Sequence, residues 1–294
     1  MARSVFSILG GSMNEEPKAA RPADGAFADL SSWRKIEVSG DGALSWLNGL
    51  VSADLEGLGP GRARRSLLLS PTGGVRAEFT VVLSGGSLVL IQDPVQPRSI
   101  RDLLTPYVLS SGVELEDRTE NLDLFAFPGR TEPPEVAGAA PSAPSCLGRG
   151  SDLILASGDR ERVLGQLGNA FALVTAEDIE AWRVAEGITR VGPDVSEEDL
   201  PQEGGLEDAV SFGKGCFTGQ EAVAKVRNLG HPRRVVLSVE GDASLARGDA
   251  VFADGAAVGS ITSAAGTVAL AKVRWSARGG PLRTEGGDQL RLKK

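Results

Sequence analysis

A chain of 294 residues with 41% hydrophobic and 24% charged side chains has the usage of ordinary globular domains and the length for two or three modules, which excludes a disordered chain. Its net charge of −8, with no basic run, excludes direct nucleic-acid binding by counterion release, and no apolar stretch approaches the roughly 20 residues of a membrane-spanning helix. With Cys146 and Cys216 as the two cysteines and no secretion signal in view, free thiols in a reducing cytoplasm are expected, and two cysteines with the single His231 are too few N and S ligands for a private metal site.

In chain order, residues 1–28 read as a poorly ordered tail, in which a weak apolar patch at Val5 to Leu9 gives way to Glu15 and Glu16. SWRKIEVSG predicts a strand. DGALSWLNGLV predicts a short helix with Leu44, Leu47 and Leu50 at helical spacing and Asp41 as its cap. After the turn GLGPG, the runs RRSLLLS, GGVRAEFTVVLSGG and SLVLIQD are divided by glycine-bearing turns and predict an antiparallel meander. QPRSIRDLLTPYVLSSG then reads as a helix that Pro106 kinks, followed by a strand in VELEDR.

A second unit opens at LDLFAFPG and is interrupted by TEPPEVAGAAPSAPS, whose Pro, Ala and Ser content predicts a surface loop. It resumes with a strand in DLILASG, a helix from Arg160 to Leu167, a strand in AFALVT and a capped helix in TAEDIEAWRVAEG. From Arg233 onward, RRVVLSVEG, DAVFADGAAVGSITSAAG and TVALAKVRW are short glycine-punctuated β runs that predict a small barrel. The expected fold is therefore α+β: a first α+β domain over 29–118, a second over 119–229 whose boundary with the first is free to interleave, and a β-barrel over 230–294.

The stretch GKGCFTGQE, Gly213 to Glu221, carries the densest chemistry. Gly213, Gly215 and Gly219 free the backbone for positive φ, so that main-chain amides can come close to a ligand. Lys214 lies two residues from Cys216, and an ammonium turned toward the thiol favours the thiolate; sequence does not fix its direction. The competing reading makes Cys216 a small apolar filler beside Phe217, with Gln220 and Glu221 in the first turn of the next element.

K-G-C-F-T-G-Q-E resembles the signature of the YgfZ family of folate-binding proteins, relatives of the glycine-cleavage T-protein that aid maintenance of iron-sulfur enzymes. RVAEGITRVGPDV is similar to the family's R-x-x-x-G segment ending in G-x-D, and LPQEGGLEDAVSFGKGC to its approach to the signature. IEVSGDGALSWLNGLVSADL resembles the family's opening, and GSITSAAGTVALAKVRW its terminal barrel.

The resemblance implies a T-protein-like ring of two α+β domains and a barrel around a folate-sized hole, with the signature loop lining it. It implies tetrahydrofolate or a one-carbon derivative as cofactor, Cys216 and Lys214 as the reactive pair, and Gln220 and Glu221 beside the ligand. Glu186 matches by position the glutamate that grips the pterin, or else pairs with Arg183 on a solvated helix face. Arg227, with Lys225, Arg233 and Arg234, offers charge for the glutamate tail.

Two departures bear on activity. The chain reads KVRNLGHP where the family has basic residues leading into R-G, and Ala77 and Glu78 stand where the T-protein has a pair of aspartates. His231 has no orienting carboxylate in sequence, and Cys146 has no motif around it, so neither is expected to do chemistry. The expected function is a cytoplasmic folate-binding accessory protein for iron-sulfur client enzymes or cluster-assembly proteins. A folate-dependent one-carbon transferase or demethylase using Glu78, and a thiol-redox protein using Cys216 alone, are the alternatives.

Overall fold

A computed structural model describes residues 25–109 and 111–293. The elements in chain order are β1 (Ala26–Asp29), β2 (Arg34–Ser39), α1 (Ala43–Leu50), β3 (Ala63–Leu69), β4 (Val75–Ser84), β5 (Ser87–Gln92), α2 (Ile100–Leu104) and β6 (Glu114–Asp117). Then come β7 (Leu122–Phe127), β8 (Ala140–Ser142), β9 (Ser151–Ala156), α3 (Arg160–Gly168), β10 (Ala172–Val174), α4 (Ala176–Ala185) and α5 (Gln220–Leu229). The last strands are β11 (Arg234–Glu240), β12 (Ala250–Ala253), β13 (Ala256–Ala265), β14 (Val268–Arg274), β15 (Leu282–Thr284) and β16 (Gln289–Leu292).

The first sheet is antiparallel in the order β3-β4-β5-β2-β6, the expected meander with β2 and β6 added at one edge. The second runs β10-β1-β7-β9-β8, with β1 parallel to β10 and antiparallel to β7. The two sheets share a core. Alternation along β5 sends Leu88 and Leu90 to one face and Val89 and Ile91 to the other, where they meet Ala28, Leu124, Ala126 and Ile154 of the second sheet. Leu47 of α1 and Leu103 of α2 cover the far face of the first sheet; Val163 and Leu167 of α3 cover Phe27, Phe125 and Phe127 on the far face of the second. The result is a helix, sheet, sheet, helix stack, with β11 to β16 closed into a separate six-stranded barrel.

Several local expectations change. Of the expected tail, residues 1–24 lie outside the described residues, while Ala26–Asp29 form β1, a buried central strand of the second sheet. Ala140–Ser142, inside the expected loop, pairs with β9 as an edge strand. Asp41 does not cap α1: Gly42 at φ 80° holds the cap position without a side-chain bond. Thr175 does cap α4, in a reciprocal box with Asp178. The stretch from Val191 to α5 packs on Leu67, Leu69 and Val75 of the first sheet, not on the second. The first unit therefore gains a late segment and the second an early strand.

Candidate functional site

One cleft lies between the two sheets where α4 and residues 188–191 close over them, walled by Trp33, Phe79 and Ile91. Its polar groups come from separate elements. Arg65 on β3 and Glu78 on β4 project into it from adjacent strands, with Arg65 Nε donating to Glu78 Oε1 at 2.6 Å. Asp93 follows the last residue of β5, and Arg190 Nε donates to its Oδ2 at 2.6 Å. Gln96 fastens the floor: its Nε2 donates to the Glu78 carbonyl at 2.7 Å while its Oε1 accepts from the Glu78 amide at 3.0 Å.

The arginines are fixed from behind. Arg190 reaches Glu180 at 2.9 Å, and Arg183 donates to Glu180 Oε2 at 2.6 Å and to Asp194 Oδ2 at 2.8 Å. Burial disfavours charge on Glu180, but Arg183 and Arg190 outweigh it and hold the carboxyl below the usual carboxylate range. Asp194 also accepts from Thr262 Oγ1 at 2.6 Å and Ser263 Oγ at 2.7 Å, both on barrel strand β13. A continuous chain of charge-assisted bonds thus runs from the first sheet through α4 to the barrel, and the cleft sits on it.

The opposite wall is the turn Cys146–Gly148. It hangs on Asp152, a buried residue of β9, which accepts from Ser145 Oγ at 2.5 Å and from the Cys146 amide at 2.7 Å. Burial pushes the Asp152 carboxyl up to about 6, with those hydrogen bonds pulling back; burial also pushes the Cys146 thiol up. Expected to be incidental, Cys146 is a half-buried part of the cleft wall.

The signature residues are elsewhere. Cys216 is exposed and is not in the cleft wall. Lys214 turns its ammonium onto α1: it donates to the carbonyls of Asn48, Val51 and Ala53 at 2.6 to 2.8 Å, and to Asn48 Oδ1 at 3.0 Å. It caps the C-terminal end of α1, satisfying carbonyls the helix leaves open. Burial pulls the Lys214 ammonium down to about 8 against the attraction of Asp54 and Glu56, and the carbonyl cage favours the charged form.

Of the three loop glycines only Gly219 takes positive φ, at 82°. A Cβ there would lie 2.4 Å from the Ser70 carbonyl, so the glycine lets α5 start against the β3–β4 turn. Gln220 and Glu221 open α5 at that seam, and Arg227, near its other end, lies 4.0 Å over the Phe212 ring. Glu186 ends α4, paired not with Arg183 but with Arg149 at 2.6 Å, and faces a different hollow beside Trp182. None of the six predicted site residues lines the cleft.

Comparison with known proteins places the fold. A family model for the GCVT N-terminal domain matches residues 7–131, and one for the CAF17 C-terminal β-barrel domain matches residues 233–294. This pairing of a GCVT N-terminal domain with a CAF17 C-terminal β-barrel is consistent with the YgfZ family. An aminomethyltransferase of Chlorobium chlorochromatii is 29% identical over 265 residues, 78% of this chain and 71% of that protein. A putative chloroplastic transferase of Arabidopsis thaliana is 26% identical, over 67% of this chain and 52% of its own length. The crystal structure of aminomethyltransferase T of the glycine cleavage system from Bartonella henselae superposes with a TM-score of 0.79 at 18% identity, covering 92% of this chain and 85% of that one. The T-protein-like fold with its closed barrel is as expected.

The CAF17/YgfZ-like domain pairing and the likeness to aminomethyltransferases support a folate-related role. The donor set of the cleft fits such a ligand by chemistry: Glu78 and Asp93 can accept paired N–H donors, Arg65 and Arg190 can take anionic groups, and Trp33 and Phe79 offer flat apolar walls. Its open volume is about 60 Å³, room for a few waters at roughly 10–15 Å³ each.

Of the cleft residues, sequence reading named Glu78, through its place opposite the T-protein aspartates, Arg183, within R-x-x-x-G, and Cys146, as incidental. Asp93 carried one faint signal, a charge abutting an apolar strand. Arg65 and Gln96 carried none, and Arg190 only its place within RVAEGITRVGPDV, since the tertiary fold alone brings them together. Among the described residues no helix is long and apolar enough to cross a membrane.

Proposed function

We propose that this chain binds tetrahydrofolate or a one-carbon derivative in the cleft between its two sheets, and that it serves iron-sulfur client enzymes or cluster-assembly proteins. The observation that carries the folate reading is the pair of carboxylates, Glu78 and Asp93, each held by an arginine at one cleft of a T-protein-like fold. Glu78 and Asp93 would receive the pterin N–H edge, and Arg65 and Arg190 would turn to the ligand's carboxylates as it enters. Side-chain movement of this kind commonly accompanies binding. When bound, the folate supplies a carrier for one-carbon units; the protein's own part is to orient it and exclude water.

The iron-sulfur part rests on the likeness to the YgfZ family and on the exposed Cys216 thiol, anchored by Lys214 and Gly219 on either side and so available to a partner outside the cleft. Both cysteines are free, which suits a reducing cytoplasm. Glu78 in the cleft also favours a second reading, one-carbon transfer from an amine donor, with this carboxylate as proton acceptor.

Calorimetric titration with tetrahydrofolate tests the site. Glu78→Gln is expected to weaken binding about ten- to hundredfold, the scale of one charge-assisted bond of roughly 1.5–3 kcal/mol, while Glu186→Ala leaves it unchanged. Loss in Glu186→Ala with full binding in Glu78→Gln would move the site to the Trp182 hollow, and no binding to the wild type would end the folate reading. Formation of methylenetetrahydrofolate from an amine donor would establish the transferase. Cys216→Ser protein that fully restores cluster-enzyme activity in cells lacking the native protein would remove the thiol from the role.

A further inference from the structure

A further groove, of about 510 Å³, lies where the Pro201–Phe212 stretch, the end of α5 and the barrel meet. Gln202 forms part of its wall at 8% exposure; its Nε2 donates to the Val223 carbonyl at 2.9 Å, and its Oε1 has no partner. A buried carbonyl oxygen without a donor is uncommon in folded proteins and points to a missing partner.

Two charges line the same groove without an ion pair among the described residues. One is Glu207, whose carboxyl is pushed up by burial and by the adjacent Asp208. The other is Arg227, laid flat on Phe212. Trp275, stacked with His231 at 5.4 Å and covered by Arg278 at 3.7 Å, makes a firm barrel-side wall. A simple cation entering here would meet Arg227, and a simple anion would meet Glu207. A ligand that carries both charges on a short frame satisfies the two, and an ammonium has the extra N–H that Gln202 Oε1 lacks.

We propose that this groove binds a free α-amino acid with an apolar side chain, its ammonium on Gln202 Oε1 and Glu207, its carboxylate on Arg227, and its side chain against Val210, Val226 and Phe212. The site is independent of the folate cleft and of the reading given to it. The volume falls within the roughly 300–1,000 Å³ of small-molecule sites, and the planar guanidinium suits bidentate grip of a carboxylate.

The test is calorimetric titration of the full chain with leucine, methionine and phenylalanine, beside their N-acetyl and methyl-ester derivatives. At least one free amino acid is expected to bind, with a loss of about tenfold or more when either its ammonium or its carboxylate is blocked. Arg227→Met should weaken the free amino acid and the N-acetyl form alike, since it removes the carboxylate's partner. Glu207→Gln should weaken the free amino acid and leave the N-acetyl form unaffected. Melting curves of both variants establish that they fold. Absence of binding by all three amino acids at millimolar concentration overturns the proposal. So does binding by blocked derivatives as tight as by free ones, or binding that survives both substitutions.

Discussion

Replacing Asp194 by alanine strikes the point where the three units are tied. Its carboxylate is 0% exposed and accepts from Arg183 Nη1 at 2.8 Å, the Arg190 amide at 2.9 Å, and the Thr262 and Ser263 hydroxyls. Removing one partner of a buried ion pair costs about 3–5 kcal/mol, because the other charge stays in the interior. Glu180, at 36% side-chain exposure, still matches part of the Arg183 charge, so we place the loss at the low end, about 3 kcal/mol. At about 2–4 °C per kcal/mol the melting temperature falls by roughly 6–12 °C. Ser263→Ala, which spares the ion pair and removes one hydroxyl, is expected to cost about 1 kcal/mol. Urea denaturation followed by tryptophan fluorescence measures both. An Asp194→Ala loss below about 1 kcal/mol, the scale of a surface pair, would refute the view that this carboxylate clamps the barrel to the cleft.

Gly219→Ala has to hold a side chain at φ 82° with its Cβ 2.4 Å from the Ser70 carbonyl, and a loss of about 2–4 kcal/mol is expected, against less than about 0.5 for Gly213→Ala and Gly215→Ala, where the space is open. Equal melting of the three variants would count against the seam. Lys35 is fully buried, with Nζ donating to the Ser31 and Trp33 carbonyls, and burial lowers it from 10.5 to about 8. The unfolded chain binds its proton more tightly, so its contribution to stability rises with pH between about 8 and 10.5; Lys35→Met should flatten stability across that window. Asp152 runs the other way: its pKa is raised from 3.8 to about 6, so its contribution is full below 3.8 and is lost as pH rises through 6. Stability of Asp152→Asn relative to wild type should therefore rise between pH 4 and 6, and a flat difference would mean the carboxyl is not strained by burial.

The secondary structure was legible where local chemistry decides it. The glycine-bearing turns of the β3–β5 meander, the Thr175–Asp178 capping box and the glycine-punctuated barrel strands each carry their cause within a few residues. β1 was hidden because AFAD is four residues long and its partners, β7 and β10, lie about 100 and 146 positions further on. The candidate site was less legible. The signature drew attention to a reactive loop, yet Lys214 is spent on α1 carbonyls and Gly219 on a close approach to the β3–β4 turn. Arg183 and Asp194, quoted as the ends of R-x-x-x-G and G-x-D, do meet, as a structural clamp behind the cleft. The cleft itself is made by residues from β3, β4, the end of β5 and the segment after α4, a grouping with no linear pattern.

The placement of β1 orders events during synthesis. The first sheet is contiguous in sequence from Arg34 to Asp117 and has all its strands once β6 has left the ribosome. The second sheet has its N-terminal strand in place but must wait for Ala172 to pair with Ala26, about 146 residues later, or roughly 7–30 s at about 5–20 residues per second. For that interval Phe27 and Ala28 have no finished sheet to enter. An unpaired apolar strand is prone to aggregate, so a chaperone holding the nascent N-terminal segment would be of use until α4 is made.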